Sequence, residues 1–389
     1  MTTIEQQLKD FEAIATAPGR QLSALLKSGR KVVGCLPEYT PEELVQAAGM
    51  VPFGIWGAER ELSEAKKYFA PFYCSIVQSS LEMGLRGELN GLSAVLVPIL
   101  CDTLKCLGQN WKVGVPGVPF IQVSHPQNVQ IEAGTVYLTK VYRGIADRLS
   151  EISGVKVTDA RLEEAIAVYN EHRRVMREFT VLAGRHPETV SPRMRNAVIK
   201  SGYFMPKADH TRMVRQLVKD LAVLPEKPWT GSKVVLAGIL ADSPALLSIL
   251  ADNKIAVAAD EVAHESRQFR VDVPEAGDPF EGLARQFTSI KGCSLVLDPE
   301  KNRGRMIADM ARASGAEGVI YLQTKFCDPE EFDYPVVKKD LDRAGLPCIN
   351  VEVDQQMQSY EQARTAIQTF ADVLAAGPRS RRPPRPPQT

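Results

Sequence analysis

The sequence predicts an α/β fold with two doubly wound parallel-sheet domains of the Rossmann or flavodoxin kind, joined by a helical middle segment. Short apolar runs of strand length alternate with stretches of helical periodicity, which is typical of a parallel sheet covered on both faces. This alternation occurs twice, before and after a long stretch dense in Arg and Glu. A chain of 389 residues, 44% of them hydrophobic and 24% charged, is large enough for two or three domains.

Residues 1–30 predict a helical lead-in, and residues 31–131 predict the first α/β domain. Its first helix is expected to begin with Thr40 as the N-cap, Pro41 at the first helical position and Glu43 as the capping-box partner. Four apolar runs give its strands: 31–36, 51–56, 93–100 and 119–124.

Residues 132–230 predict the helical segment, and residues 231–376 predict the second α/β domain. Ser243–Pro244 is expected to start a helix, and residues 357–376 predict a final amphipathic helix. The tail 377–389 is rich in Pro and Arg and is expected to be disordered. Four strands are predicted in the second domain: 233–238, 255–259, 318–323 and 347–353.

The composition narrows the class of partner. The 47 Lys and Arg residues balance 47 Asp and Glu residues, which argues against a protein that binds nucleic acid or anionic lipid by long-range electrostatics. No apolar run approaches the roughly 20 residues that span a bilayer, and the N-terminus lacks the layout of a secretory signal. We therefore expect a cytoplasmic protein with a small or buried partner.

The cysteines direct attention to a metal or catalytic site. An odd number at irregular spacing is a poor disulfide framework, and the absence of Cys-x-x-Cys and His-x-x-x-His motifs argues against a zinc ribbon. Any metal site must therefore combine distant parts of the chain. The seven are Cys35, Cys74, Cys101, Cys106, Cys293, Cys327 and Cys348.

Two thiols follow predicted strands, at the sheet edge where doubly wound folds bind ligands. Cys101 follows the third strand of the first domain, and Cys327 follows the third strand of the second. Asp328 is predicted as an N-cap, with Pro329 as the first helical residue and Glu331 as the capping-box partner. Cys327 is therefore expected at a helix N-terminus, which lowers the pKa of a thiol.

A third thiol, Cys74, lies after a proline at another predicted helix start. Three such thiolates suit an iron-sulfur cluster with one iron free of cysteine, and the alternative for each is a buried cysteine that acts as a small apolar residue. Cys106 could be a further ligand, but five residues on a helix rotate it away from Cys101, so core packing is expected. Buried apolar positions are also expected for Cys35, Cys293 and Cys348.

Several polar features have a functional and a structural interpretation. His125 could contact a phosphate group of a ligand or satisfy local backbone groups, and the latter is also expected of His172, His186, His210 and His264. The arginines at 173–174 and 193–195 could bind ligand phosphates or a partner protein, but a solvated helix face is favoured. The acidic run 328–333 is expected to serve capping and solvation. The turn at Gly238 lacks the G-x-G-x-x-G spacing and predicts no nucleotide site.

Long motifs in order along residues 30–375 resemble the family of 2-hydroxyacyl-CoA dehydratase and benzoyl-CoA reductase subunits. The principal ones are Gly34–Pro52, Cys101–Lys105 and Lys325–Pro335. Shorter matches are His125–Asn128, Val168–Arg173, Arg267–Asp272 and Glu361–Thr365.

The resemblance implies the second, or β-type, subunit of a heterodimer with a homologous companion. Cys74, Cys101 and Cys327 match the three ligands of the family's [4Fe-4S] cluster. A separate iron-sulfur activator that hydrolyses ATP would deliver single electrons for use on an acyl-CoA. In the dehydratases the electron makes a ketyl radical anion from which water is eliminated, and in the reductases electrons reduce an aromatic ring. A polar loop of the family corresponds to residues 38–43, so Glu38 is the candidate for a catalytic side chain.

These considerations favour the iron-sulfur subunit of a 2-hydroxyacyl-CoA dehydratase, a lyase. The runner-up is a subunit of an ATP-dependent benzoyl-CoA reductase, an oxidoreductase. A non-catalytic iron-sulfur electron carrier or maturation protein is the alternative of another class, and a metal-free module with two Rossmann-like domains is the simplest.

Overall fold

Two four-stranded parallel sheets, each surrounded by helices, form the framework of the chain in the computed structural model, which describes residues 3–377. The expected α/β fold class is thereby confirmed. The predicted disordered tail, 377–389, lies outside the described residues except for Gly377.

The first sheet follows two short helices, α1 (Ile4–Ala15) and α2 (Pro18–Lys27). Its strand order is β2-β1-β3-β4, with every pairing parallel. The strands are β1 (Val32–Cys35), β2 (Val51–Gly54), β3 (Ala94–Pro98) and β4 (Phe120–Val123). Three helices connect them: α3 (Glu42–Ala47), α4 (Ser75–Leu85) and α5 (Asp102–Gly114).

Four helices follow the first sheet along the chain and precede the second. The longest two are amphipathic. The buried face of α6 and the first half of α7 join the apolar core around the first sheet, and the second half of α7 packs with α1, α8 and α9. They are α6 (Glu132–Ser153), α7 (Asp159–Arg185), α8 (Pro192–Ser201) and α9 (Lys207–Ala222).

The second sheet repeats the topology of the first, with the order β6-β5-β7-β8 and parallel pairing throughout. Its strands are β5 (Ser232–Gly238), β6 (Ile255–Val262), β7 (Gly318–Thr324) and β8 (Cys348–Val353). The accompanying helices are α10 (Pro244–Asp252), α11 (Pro279–Thr288), α12 (Arg303–Ser314), α13 (Asp328–Arg343) and α14 (Glu361–Ala375).

The start of α10 is as expected, because the Ser243 hydroxyl accepts a hydrogen bond from the Leu246 N–H and Pro244 opens the helix. The capping box predicted for α3 is wrong. Thr40 donates its hydroxyl to the carbonyl of Leu36 at 2.7 Å, and Pro41 is the N-cap. The Glu43 carboxylate is drawn to another partner, described below, so it cannot serve the helix start.

The carboxyl ends of both sheets face the seam between the two halves. Residues 36–41 form the loop after β1, and Glu38 in this loop pairs with Arg267 of the second half. After β8, Gln355 donates its side-chain N–H to the carbonyl of Trp56, which follows β2. The division into domains at residues 131 and 231 stays a prediction, but both halves contribute to this seam.

Candidate functional site

Three thiols occupy the same local position at three helix starts. Cys74 is the N-cap of α4, Cys101 of α5 and Cys327 of α13. An N-cap residue lies beside the unpaired backbone N–H groups of the first helical turn, which attract an anionic ligand or thiolate. All three are free and half-buried.

These three thiols lie close enough to interact electrostatically. Burial raises the pKa of Cys74 to about 12, and the charge of Cys101 is the next largest cause. Burial also raises the pKa of Cys327, with further contributions from Glu330, Cys74 and Cys101. The fold therefore brings together the thiols selected from the sequence, although Cys74 and Cys327 are far apart along the chain.

Backbone N–H groups oppose the effect of burial at each thiol. The N–H groups of Leu104 and Thr103 act on Cys101, and that of Glu330 acts on Cys327. The expectation that the helix N-terminus would give Cys327 a lowered pKa is wrong, because the sum of all contributions raises the pKa. Desolvation of the thiolate and the nearby Glu330 carboxylate outweigh the helix, so the pKa is raised.

The start of α13 also differs by one residue from the prediction. Cys327 itself, rather than Asp328, is the N-cap. The Glu331 carboxylate accepts a hydrogen bond from the Phe326 N–H at 3.2 Å. Phe326 has a φ of 61°, a left-handed conformation that is costly for a phenylalanine and that turns the chain sharply before the thiol.

No three His, Cys, Asp or Glu side chains within residues 3–377 converge so as to hold a single metal ion. The thiolates of a four-iron cluster bind different irons and therefore stand further apart than the ligands of one ion. The chemistry of the donor set fits such a cluster: three free thiols, each facing backbone N–H groups, at the edge of a largely apolar core.

Glu38 lies beside this group of thiols. Its carboxylate is buried, accepts a hydrogen bond from Arg267 at 2.9 Å and acts electrostatically on Cys101 and Cys293. Burial raises the pKa of Glu38, although Arg267 opposes the change. Glu38 has a φ of 41° and the next residue, Tyr39, has a φ of 63°. Two consecutive non-glycine residues in the left-handed region mark a strained loop at the site, and a catalytic role for Glu38 stays a prediction.

A buried charge network extends from Glu38 into the second half. Arg267 also binds Glu261, which in turn binds Arg303, and Arg303 binds Glu330 at 2.6 Å. Each buried carboxylate therefore faces at least one guanidinium, as burial of charge requires. The network ends one helical turn after Cys327.

Sequence reasoning missed most of this network. The acidic run 328–333 was expected at the surface, but Glu330 and Asp333 are buried, with Glu330 fully enclosed. The sequence around Arg303 and Glu261 does not indicate a buried ion pair, since one lies in an ordinary amphipathic segment and the other in an apolar one. Arg267 lies in a motif shared with the family, which was the one available indication.

Buried ion pairs also correct the interpretation of the arginine-rich stretches. Arg173 binds Glu43, and Arg195 binds both Asp260 and Glu265, all within the interior. These two arginines are therefore not on a solvated helix face, nor free for phosphate. Their neighbours Arg174 and Arg193 are exposed, as expected, and pair with surface carboxylates.

The remaining cysteines are not brought into the group of three. Cys35 and Cys293 are buried, as expected, but Cys348 is only half-buried because it lies at the start of β8. The sulfur of Cys106 lies 3.4 Å from the hydroxyl of Tyr73, the residue before Cys74. Cys106 thus contacts the neighbourhood of the site through a tyrosine.

Two histidines form a buried pair that the sequence did not indicate. The Nε2 atom of His172 and the Nδ1 atom of His210 are 2.9 Å apart, and His210 also contacts the carbonyl of Val198. The ring of His125 is buried against Phe287, and burial lowers the pKa of His125 to about 3.

None of the described helices combines the length and the apolar character needed to cross a membrane.

Residues 37–374 match the family model of the 2-hydroxyglutaryl-CoA dehydratase D-component. The (R)-phenyllactyl-CoA dehydratase β subunit of Clostridium sporogenes is 48% identical over 375 residues, which cover 96% of this chain and 100% of the relative. The β subunit of (R)-2-hydroxyglutaryl-CoA dehydratase from Acidaminococcus fermentans is 42% identical, over 95% of this chain and 100% of the relative.

A more distant relative performs a different reaction. A subunit of the benzoyl-CoA reductase of Thauera aromatica is 27% identical over 351 residues, which cover 89% of this chain and 91% of the relative. All three relatives are named as subunits of larger enzymes.

Proposed function

Because the chain belongs to the 2-hydroxyglutaryl-CoA dehydratase D-component family, we propose that it is the iron-sulfur subunit of a 2-hydroxyacyl-CoA dehydratase. The observation that carries the proposal is the 48% and 42% identity, along the full length, with β subunits of two such dehydratases. The reductase subunit, at 27%, is a weaker match, so a dehydratase is favoured over an aromatic-ring reductase.

We propose that Cys74, Cys101 and Cys327 hold a [4Fe-4S] cluster at the seam. Their positions at three helix starts support this role, since N–H groups of each first turn would stabilise the negative charge of a thiolate-ligated cluster. When bound, the cluster would supply single electrons of low potential. The surrounding core would exclude water, and the loop at Glu38 and the helix start at Cys327 would fix the thiols in place.

The proposed complex contains a second, homologous subunit and receives electrons from a separate iron-sulfur activator that hydrolyses ATP. Naming of the relatives as subunits supports the presence of a companion chain. In this assignment the subunit stores or relays the electron, and the acyl-CoA reacts at the companion. The cytoplasmic location expected from the sequence stays a prediction.

An assay of the anaerobically reconstituted complex tests the proposal. The complex, activator and ATP would be incubated with a 2-hydroxyacyl-CoA or with benzoyl-CoA. We expect elimination of water from the hydroxyacyl thioester without net consumption of electrons. Ring reduction with stoichiometric consumption of electrons would instead assign the chain to a benzoyl-CoA reductase. Iron-containing complex that converts neither substrate would support a non-catalytic carrier.

A further inference from the structure

A cavity of about 380 Å³ lies at the carboxyl end of β2, away from the three thiols. Helices α1 and α2 cover one side, and residues that follow β5 and β6 close the other. Its volume is in the range of small-molecule sites, and the carboxyl ends of strands are where doubly wound folds bind ligands. The chemistry described so far makes no use of it.

The wall of the cavity is mainly apolar and aromatic. Phe53, Ile55 and Trp56 come from β2 and the residues after it, and Phe204 and Ala197 face them from the helical segment. All five are buried. Such a wall matches a ring or a branched hydrocarbon group better than an extended polar chain.

Each basic side chain that lines the cavity is already paired with a carboxylate, and the lining carries no excess of positive charge. Arg60 makes two hydrogen bonds to Glu88, at 2.6 and 2.9 Å. Arg193 binds Glu12 at 2.6 Å, and Lys200 pairs with an aspartate. The lining holds three basic and four acidic side chains, so a phosphate or free carboxylate would find no available cation.

Two buried polar atoms of the lining residues lack a hydrogen-bond partner in the described part of the chain: Nε of Arg60, whose other two nitrogens bind Glu88, and Nδ1 of His264. His264 is 1% exposed, and its Nδ1 atom has no hydrogen-bond partner among residues 3–377. Its ring lies between Trp56 and Tyr203, with centroids 4.9 Å from each. Burial lowers the pKa of His264 to about 4, so the ring is neutral at pH 7 and suited to a neutral partner.

We propose that this cavity binds a neutral, apolar group of ring size that carries one hydrogen-bonding function, supplied either by the acyl part of a thioester or by a free small molecule. The site itself does not depend on the proposed function. The acyl source rests on it, and because the reacting thioester is assigned to the companion, an acyl group in this cavity would be bound without reacting there. The wall at Ala58 exchanges two hydrogen bonds with Ser79 on α4, so the cavity is linked to the helix that begins after Cys74.

Calorimetric titration of the full-length, anaerobically purified chain tests the proposal with three probes that share one ring. 3-Phenylpropanamide is neutral, 3-phenylpropanoate has the same shape with a charge, and 3-phenylpropanoyl-CoA presents the group as a thioester. We expect the amide to bind at least about tenfold more tightly than the carboxylate, because the anion would be buried without a cation.

The variant Ala197→Leu places three further carbons in the cavity and should weaken binding of the amide and of the thioester by about tenfold or more. Ala24→Leu, an exposed position on α2, is the matched control and should bind like wild type. If Ala197→Leu does not fold, Gly19→Leu at the rim replaces it, because a side chain added there meets no atom within 4 Å.

Tighter binding of the thioester than of the amide identifies an acyl chain as the source, and binding of the amide alone identifies a free molecule. The proposal is wrong if neither the amide nor the thioester binds, if the carboxylate binds as well as the amide, or if the cavity-filling variant binds normally. The iron content of the same samples distinguishes the cavity proposal from the cluster proposal. Loss of probe binding with normal iron contradicts only the cavity, whereas absence of iron contradicts only the cluster.

Discussion

At the scale of single residues, the site is built from side chains whose charge is tolerated only because of specific partners. Glu330 is the clearest example. Burial alone would raise the pKa of its carboxyl, but Arg303 and Arg267 outweigh burial and lower the pKa to about 2. The hydroxyls of Ser294 and Tyr321 each donate a hydrogen bond to it at 2.6 Å. The carboxylate is thus held ionised one turn from Cys327.

This arrangement predicts a particular acid sensitivity. Because the pKa of Glu330 is lower in the folded chain than in the unfolded chain, its ionised form stabilises the fold above about pH 4.5, and the contribution is lost as the pH falls towards 2. Glu330→Gln should lower the free energy of unfolding by about 3 kcal/mol at pH 7. Urea denaturation between pH 7 and pH 3 should show the difference from wild type shrinking below about pH 4.5.

Glu300→Gln is the control, since the Glu300 carboxylate is 78% exposed and has only a 3.9 Å contact with Arg305. Its effect should be within about 0.5 kcal/mol at every pH. A difference between Glu330→Gln and wild type that stays constant down to pH 3 would contradict the account of Glu330.

At the scale of elements, the two sheets repeat one strand order, and Cys101 and Cys327 follow equivalent strands, β3 and β7. This part could be predicted, because strand and helix signals are local and the position of a ligand site follows from the topology. All eight strands lie where apolar runs predicted them. The capping box at Glu43 could not be predicted, because its competitor, Arg173, is 130 residues away.

The connection between β2 and α4 gives a prediction at this scale. Gly57 has a φ of 76°, and a Cβ atom there would lie 2.3 Å from the Gln355 side-chain oxygen and 3.0 Å from the Ile76 carbonyl. Gln355 cannot move away freely, because its backbone N–H donates to the Ser75 hydroxyl at 3.0 Å and its side chain donates to the Trp56 carbonyl. Gly57→Ala should therefore destabilise the seam beside Cys74.

Gly315→Ala is the matched control, since Gly315 has a φ of 69° with no atom near an added Cβ. The control should cost about 1 kcal/mol for the left-handed backbone alone, and Gly57→Ala should cost at least about 1 kcal/mol more. Chemical denaturation of both variants measures the difference. Equal losses of stability would show that the seam does not constrain Gly57.

At the scale of the whole molecule, the halves are joined by charges that are distant in the sequence. Arg267 is fully buried and binds Glu38 of the first half and Glu261 of the second. No local sequence pattern identifies such a pair. A charged side chain can be buried only where a partner of opposite charge lies beside it, and here that partner is distant in the sequence. The sequence therefore predicted that Cys101 and Cys327 follow equivalent strands, but it did not predict this charge network.

Replacement of Arg267 should show how strongly the seam depends on it. Arg267→Met leaves the buried Glu38 carboxylate without its cation, whereas Glu261 keeps Arg303 and Arg270, and it should lower the free energy of unfolding by about 3 kcal/mol or more. Arg364→Met is the control, because Arg364 is 43% exposed in weak surface pairs and should cost at most about 1 kcal/mol. Denaturation of the two variants compares them, and a loss at Arg267 no larger than at Arg364 would show that the pair does not hold the halves together.

The central claim is that Cys74, Cys101 and Cys327 jointly hold one cluster, and the iron and acid-labile sulfide content of the anaerobically purified chain tests it most directly. We predict a brown protein with about four irons and four sulfides per chain, lost on replacement of any of the three thiols by alanine. Cys348→Ala and Cys293→Ala should keep the iron, because neither sulfur belongs to the group. A colourless wild-type protein, or three thiol variants that all retain their iron, would contradict the account.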